Sequence, residues 1–167
     1  MKWREYMEIK DSGARRSFES GAVRDVEAGK GRCDLMPLEV IGCSINSSVL
    51  LTIDSYMDTK DEGLLYEAID YFLKESKFGN KYEMYLEVSK HFEEGALKYG
   101  ENNWQKGIPI QSYIDSAIRH YLKYKAGWDD EPHDRAFVWN IICCIWEHLR
   151  QERGETGLTT NILEKRG

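Results

Sequence analysis

The chain predicts an all-α helical bundle led by an irregular N-terminal arm that carries Gly and Arg. Three observations support that reading. Apolar residues recur at helical spacing in successive stretches between positions 49 and 146. Helix punctuation bounds those stretches: Asn80 before one, Pro109 and Pro132 at the start of two others, and Gly79, Gly100 and Gly127 after their ends. Residues 136–146, AFVWNIICCIW, are apolar nearly all round, as the central helix of a bundle must be. A chain of 167 residues is most simply one domain with a sizeable core. Its expected parts are an arm over residues 1–35, a helical domain over 36–153 and a tail over 154–167.

Within the arm, basic residues stand beside glycines: Arg15 and Arg16, then Gly21-Ala22-Val23-Arg24-Asp25, then Gly29-Lys30-Gly31-Arg32 before Asp34-Leu35. Gly lets a backbone curl toward a phosphate, and Lys and Arg supply charge-assisted donors. The same composition also describes a solvated loop, and the GxxxxGK[ST] spacing of a Walker loop is missing. Pro37 to Ile41 starts a short helix, and Val49, Leu50, Ile53, Tyr56 and Met57 follow a helical period. Residues 47–53 taken alone also fit a short strand. A further helix is expected over 61–76, where Leu64, Leu65, Ala68, Ile69, Phe72 and Leu73 form one broad apolar face.

Residues 80–99 read as the next helix, with Asn80 as N-cap, Glu83 as its box partner and Gly100 as the stop. Tyr85, Val88, Phe92 and Tyr99 are expected to be its buried stripe, and Glu87, Glu94 and Lys98 to share another face. Gly95-Ala96 leaves one turn nearly bare, which suits tight helix packing or a flat base lying close. In the loop 101–109, Trp104 either closes the core or stacks on a base beside the Asn102 and Asn103 amides. The helix from Pro109 to about Ala126 spaces Asp115 and Arg119 for an i,i+4 ion pair and carries His120. The last helix is announced by Asp129-Asp130-Glu131-Pro132; on it His133, Asn140 and Glu147 fall near one face. Asn140, inside an apolar run, marks a structural polar network or a ligand contact.

Composition narrows the function classes. A formal charge of −6 argues against a binder of nucleic acid polymers, which needs a basic surface to displace counterions. A small anion remains a suitable ligand, since a few clustered cations decide that locally. Cys33, Cys43 and the pair Cys143-Cys144 lack metal-site spacing and read as buried thiols in a reducing compartment. No apolar run reaches the roughly 18 residues of a membrane span, and the first residues lack a signal peptide's apolar segment. The expectation is a cytoplasmic protein with no membrane partner.

The ordered set Gly21-Ala22-Val23-Arg24-Asp25, Gly29-Lys30-Gly31-Arg32, Asp34-Leu35-Met36-Pro37, Glu94-Gly95-Ala96-Leu97-Lys98-Tyr99-Gly100, Asn103-Trp104-Gln105-Lys106-Gly107, Asp115-Ser116-Ala117-Ile118-Arg119-His120, Asp130-Glu131-Pro132-His133 and Trp139-Asn140 resembles the N-terminal domain family of phage-type dATP/dGTP diphosphohydrolases. The likeness covers residues 21–41 and about 84–146, which makes 42–80 an insertion. It implies a phage-derived protein of the bacterial cytoplasm, similar in character to MazG-like all-α nucleoside triphosphate pyrophosphatases. In those, helix-borne carboxylates hold Mg²⁺, which activates water against the α-phosphate.

Carried over, the resemblance implies Glu94, Glu131 and His133 as catalytic residues, and Glu94, Glu131 and Asp134 as Mg²⁺ ligands with Glu87 behind them. It implies Lys30, Arg32, Lys98, Arg119 and His120 as phosphate holders, Asn103, Trp104 and Asn140 around base and sugar, and Arg24 and Tyr99 as further nucleotide-binding residues. The paired ExxE of the pyrophosphatases is absent from residues 80–99, and Asn140 stands where a metal-binding helix would carry Asp. Two functions follow: Mg²⁺-dependent hydrolysis of a purine (deoxy)nucleoside triphosphate, releasing pyrophosphate, or capture of a linear or cyclic nucleotide signal without turnover. A structural helical protein is the third reading. A homo-oligomer is expected, since helices with broad apolar faces self-associate.

Overall fold

The computed structural model describes residues 14–25 and 28–154. Among them are two short strands, β1 (Arg15–Ser17) and β2 (Val23–Asp25), and six α-helices. The helices are α1 (Leu38–Ser44), α2 (Ser48–Thr59), α3 (Gly63–Glu75), α4 (Lys81–Tyr99), α5 (Ile110–Lys125) and α6 (His133–Arg153). Single turns of 3-10 helix lie at Cys33–Leu35 and Asn103–Lys106. This is the all-α bundle expected, with one addition. Part of the arm is an antiparallel ribbon, Arg15 opposite Asp25 and Ser17 opposite Val23. Its turn closes through Gly21 at φ +87°, and its Ala22 is fully buried.

Local chemistry explains the helix ends. The Asn80 side chain accepts from Glu83 N–H at 3.0 Å, and the Glu83 carboxylate accepts from Gly79 N–H at 3.0 Å, so two otherwise unpaired donors are satisfied. Ser47 Oγ accepts from Leu50 N–H at 3.1 Å and starts α2, so residues 47–53 are helix rather than strand. Proline disfavours helical geometry in the residue before it. Accordingly α6 begins at His133, behind Pro132, and Asp129, Asp130 and Glu131 stay in the preceding turn.

The core forms where α5 and α6 pack most extensively and α3 lies across them. Phe72 of α3, Tyr121 of α5 and Phe137 of α6 are fully buried or nearly so, with Phe72 and Phe137 ring centroids 4.5 Å apart. Residues 42–80, read as an insertion, contribute Leu50, Ile53, Tyr56, Leu65 and Phe72 to this same core. On α4 the buried residues are Met84, Val88 and His91, whereas Tyr85 is 43% exposed. Val88 of the expected stripe is buried, but Met84 and His91 take the places expected of Tyr85 and Phe92, because His91 packs against Trp139 of α6. Cys143 and Cys144 are buried as expected, but Cys43 is exposed and Cys33 half-buried. The tail beyond residue 154 and the arm before residue 14 lie outside the described residues.

Candidate functional site

Asn103 links the ribbon to the bundle. Its Oδ1 accepts from Val23 N–H at 2.9 Å and its Nδ2 donates to Val23 O at 2.8 Å, so the amide mimics a strand partner for β2. Asp25 continues the attachment, accepting from Tyr99 Oη at 2.8 Å and Arg15 Nη1 at 2.9 Å, with Lys98 Nζ at 3.5 Å. On the far side, Arg32 grips buried Asp34 with two bonds at 2.8 and 2.7 Å, and Gln111 Nε2 adds a third at 2.7 Å. Those donors hold the Asp34 carboxyl well below the usual range. Arg119 then donates to Gly31 O at 2.6 Å and to Asp115 at 2.5 Å. These contacts pin the arm across α4 and α5.

Beneath it lies a cavity of about 810 Å³, within the range of small-molecule sites. Arg24, Lys30, Lys98, Tyr99, Asn103, Trp104, Arg119, His120, Glu131 and Asn140 all line it. Arg32, Glu94, His133 and Asp134 do not. Glu94 is hydrogen-bonded to the buried guanidinium of Arg135, and Asp134 Oδ1 accepts from Arg135 N–H at 2.8 Å. Glu87 pairs with Lys90 at 2.9 Å. Two of the three carboxylates expected to gather around a metal therefore turn away from the cavity. Asn103 borders the cavity, but its amide is engaged by Val23; Arg32 is engaged by Asp34.

Gly95 and Ala96 also line the cavity, and nothing lies within 4 Å of the Cβ that Gly95 lacks. Tight helix packing is not why that turn is bare. Sequence reasoning misses His91, Phe92, Lys123, Trp128 and Trp139 as lining residues. Trp139 lies inside the apolar run, where an indole facing a cavity and one facing the core read alike. Lys123 closes a helix whose end favours cations in any case.

The electrostatics are uneven. Lys98 and Arg119 are neutralised by Asp25 and Asp115. Among the described residues Arg24 is not: its Nη2 donates to Ser116 Oγ and Asn140 Oδ1, both at 3.1 Å, and its Nη1 is buried with no partner there. The guanidinium lies over the Tyr113 ring, 5.3 Å from its centroid, and burial pulls its pKa down. Lys30 and Lys123 likewise have no ion pair among the described residues. The indole N–H of Trp139 is buried without an acceptor among the described residues. A cavity edged by uncompensated cations and an unmet donor is suited to an anion with apolar bulk.

Three linked groups stand where α5 meets α6. His133 Nε2 lies 2.8 Å from Asp130 Oδ1, and His133 Nδ1 lies 2.9 Å from His120 Nδ1. Burial, reinforced by His133, holds His120 well below its usual pKa. His91, buried against Trp139, is pushed down to about 3 by burial and by the cations of Arg135, Arg24 and Lys98. A folded-state pKa below the unfolded value of 6.5 means that the unfolded chain takes up this proton first as pH falls. The contribution of His91 is complete above about 6.5 and is lost as pH falls toward 3. Urea unfolding midpoints should therefore drop between pH 7 and pH 4.5, and His91→Met should flatten that slope; an unchanged slope would refute the assignment.

Residues 81–156 match the family model described as dATP/dGTP diphosphohydrolase, N-terminal. The match takes in α4, α5 and α6 and begins where α3 has ended, so it spans the second block of the resemblance and not residues 21–41. No curated protein and no solved structure matches the chain.

Proposed function

We propose that the cavity binds a purine (deoxy)nucleoside triphosphate and that the protein hydrolyses it to monophosphate and pyrophosphate. The observation that carries the reading is Arg24: a buried guanidinium that, among the described residues, is uncompensated by any carboxylate and has one nitrogen unpartnered at the cavity wall. A buried charge of that kind is costly unless a ligand of opposite sign completes it. Lys30 and Lys123 extend the cationic lining for a polyphosphate, while Trp104, Trp139 and the bare Gly95-Ala96 turn provide flat apolar surface for a base. The family match over α4 to α6 supports hydrolysis.

The resemblance implies Mg²⁺ on helix carboxylates, and the residues present do not fit it. Of the three expected ligands, Glu94 and Asp134 lie off the cavity, and Glu131, which borders it, is grouped with two imidazoles. Mg²⁺ prefers an all-oxygen set. No step is therefore assigned to Mg²⁺. Within this proposal Arg24, Lys30 and Lys123 orient the phosphate chain, and His120 and Glu131 are the groups assigned to the hydrolytic end.

Sequestration without turnover is the second reading, of a linear nucleotide or a cyclic nucleotide defence signal, and the Glu94–Arg135 pairing favours it. A phage origin, action in a bacterial cytoplasm and assembly into a homo-oligomer belong to the same proposal. Tyr82, Leu86 and Leu97, exposed on one face of α4, are the surface for that assembly. Incubation with each common NTP and dNTP, with Mg²⁺, with Mn²⁺ or with EDTA, separates the readings when products and thermal shifts are followed together. Monophosphate and pyrophosphate from a purine triphosphate establish the hydrolase. Nucleotide recovered intact with a raised melting temperature establishes sequestration, since a ligand at 100 times its Kd adds about 2.7 kcal/mol. Neither product nor shift with any nucleotide overturns both.

A further inference from the structure

The turn between α5 and α6 brings three donors of a different character to one edge of the cavity. His120 comes from α5, Glu131 from the turn and His133 from the first position of α6, and one ligand atom from each lies within 4.8 Å of the others. His120 and Glu131 line the cavity; His133 is buried behind them. The tight bend that places Glu131 beside His133 is held by His133 N–H donating to Glu131 O at 2.9 Å.

Hydrogen-bond chemistry decides which nitrogens face inward. A carboxylate only accepts, so the 2.8 Å contact to Asp130 puts the proton of neutral His133 on Nε2. Its Nδ1 then presents a lone pair to His120 Nδ1, 2.9 Å away. Without an ion, His120 satisfies that lone pair by donating from Nδ1. With its proton on Nε2 instead, both Nδ1 atoms present lone pairs across the same gap. Nitrogens bound to one cation at about 2.0–2.1 Å in adjacent positions are themselves ~3 Å apart. An imidazole fixed by a carboxylate on its other nitrogen is also how proteins orient a metal-binding histidine.

We propose that His120, His133 and Glu131 form a site for one divalent transition-metal ion of the Mn²⁺ to Zn²⁺ series, with Asp130 orienting His133 for ligation. Two imidazoles and one carboxylate favour such ions over Mg²⁺. The inference deepens the reading of the same cavity, yet it concerns metal retention in the absence of nucleotide, so each fails independently of the other. The other described cluster, Glu62, His148 and Glu152, offers one imidazole and lies away from the cavity. There His148 Nδ1 meets Tyr56 Oη at 2.9 Å, and Nε2 faces Glu152 at 3.3 Å and Glu62 at 3.7 Å. It provides a control.

The test is metal retention by the purified 167-residue chain, stripped with chelator and dialysed against Co²⁺, Mn²⁺ or Zn²⁺ with millimolar Mg²⁺ present. The expected result is one equivalent of transition metal, with visible Co²⁺ absorption bands. His120→Ala and Glu131→Gln should each weaken retention at least tenfold. Asp130→Asn should weaken it about tenfold through orientation alone. His148→Gln should leave it unchanged. Glu131 lies in a turn outside the core, so Glu131→Gln keeps the test decisive even where a histidine variant misfolds. No retained metal, retention untouched by His120→Ala and Glu131→Gln, or displacement by millimolar Mg²⁺ would each overturn the proposal.

Discussion

Replacing Arg24 with Met is expected to weaken nucleotide binding by two orders of magnitude or more while leaving the free protein nearly as stable as before. The two effects separate because Arg24 contributes little to the fold relative to its cost. Its bonds go to neutral partners, Ser116 and Asn140, at 3.1 Å, and one guanidinium nitrogen has none. Met fills similar space against Tyr113 and Trp139, removes a desolvated charge, and leaves Asn140 Oδ1 unsatisfied at a cost of about 1–3 kcal/mol. These terms oppose each other. Binding has no such offset, since losing one partner of a buried charge pair costs about 2–5 kcal/mol, a factor of roughly 300 in Kd at mid-range. Calorimetric titration beside thermal melts of the free protein provides the check. Unaltered affinity would remove Arg24 from the site, and with it the observation on which the proposed function rests.

Phe137→Ala should have the largest effect on stability. The ring is fully buried where three helices meet, with Phe72 of α3 at 4.5 Å and Tyr121 of α5 at 5.7 Å between centroids. Truncation leaves a cavity that rigid helices cannot close, costing about 3–5 kcal/mol out of a total stability of about 5–15 kcal/mol. For a chain of this length that lowers the melting temperature by roughly 10 °C. A shift of only one or two degrees would mean that the α3, α5 and α6 packing described here is wrong. Since α5 and α6 also carry His120, Ser116 and Asn140, partial loss of this core should loosen the cavity as well.

Much of the fold was legible in the sequence because helix formation is decided locally. Asn80 with Glu83, Ser47, Pro109, Gly100 and the apolar faces of α3 and α6 act within a turn or two of their own positions. The short residues 47–53 were ambiguous until the Ser47 cap resolved them into α2. The ribbon was not legible: β1 and β2 are three residues each, too short for alternation to register, and their attachment depends on Asn103, 80 positions from Val23. In the same way, nothing in the spacing of α4 shows that Met84 rather than Tyr85 turns inward, because α6 sets that rotation.

The site divides along the same line. By itself the sequence determined the residue types and their rough assembly: cations with glycines in the arm, the bare Gly95-Ala96 turn, His120 on one helix and Asp130-Glu131-Pro132-His133 before the next. Tertiary structure alone decided which of those charges are spent on each other. Arg135 takes Glu94 and Asp34 takes Arg32, while Arg24 reaches the cavity with only neutral partners among the described residues; the Asp115–Arg119 pair is the exception, legible from its i,i+4 spacing. Ion pairing depends on separations of a few ångströms between residues up to tens of positions apart, and one-dimensional spacing does not encode these. That is why a carboxylate set expected on α4 and α6 gives way to two imidazoles and Glu131 at the α5–α6 turn.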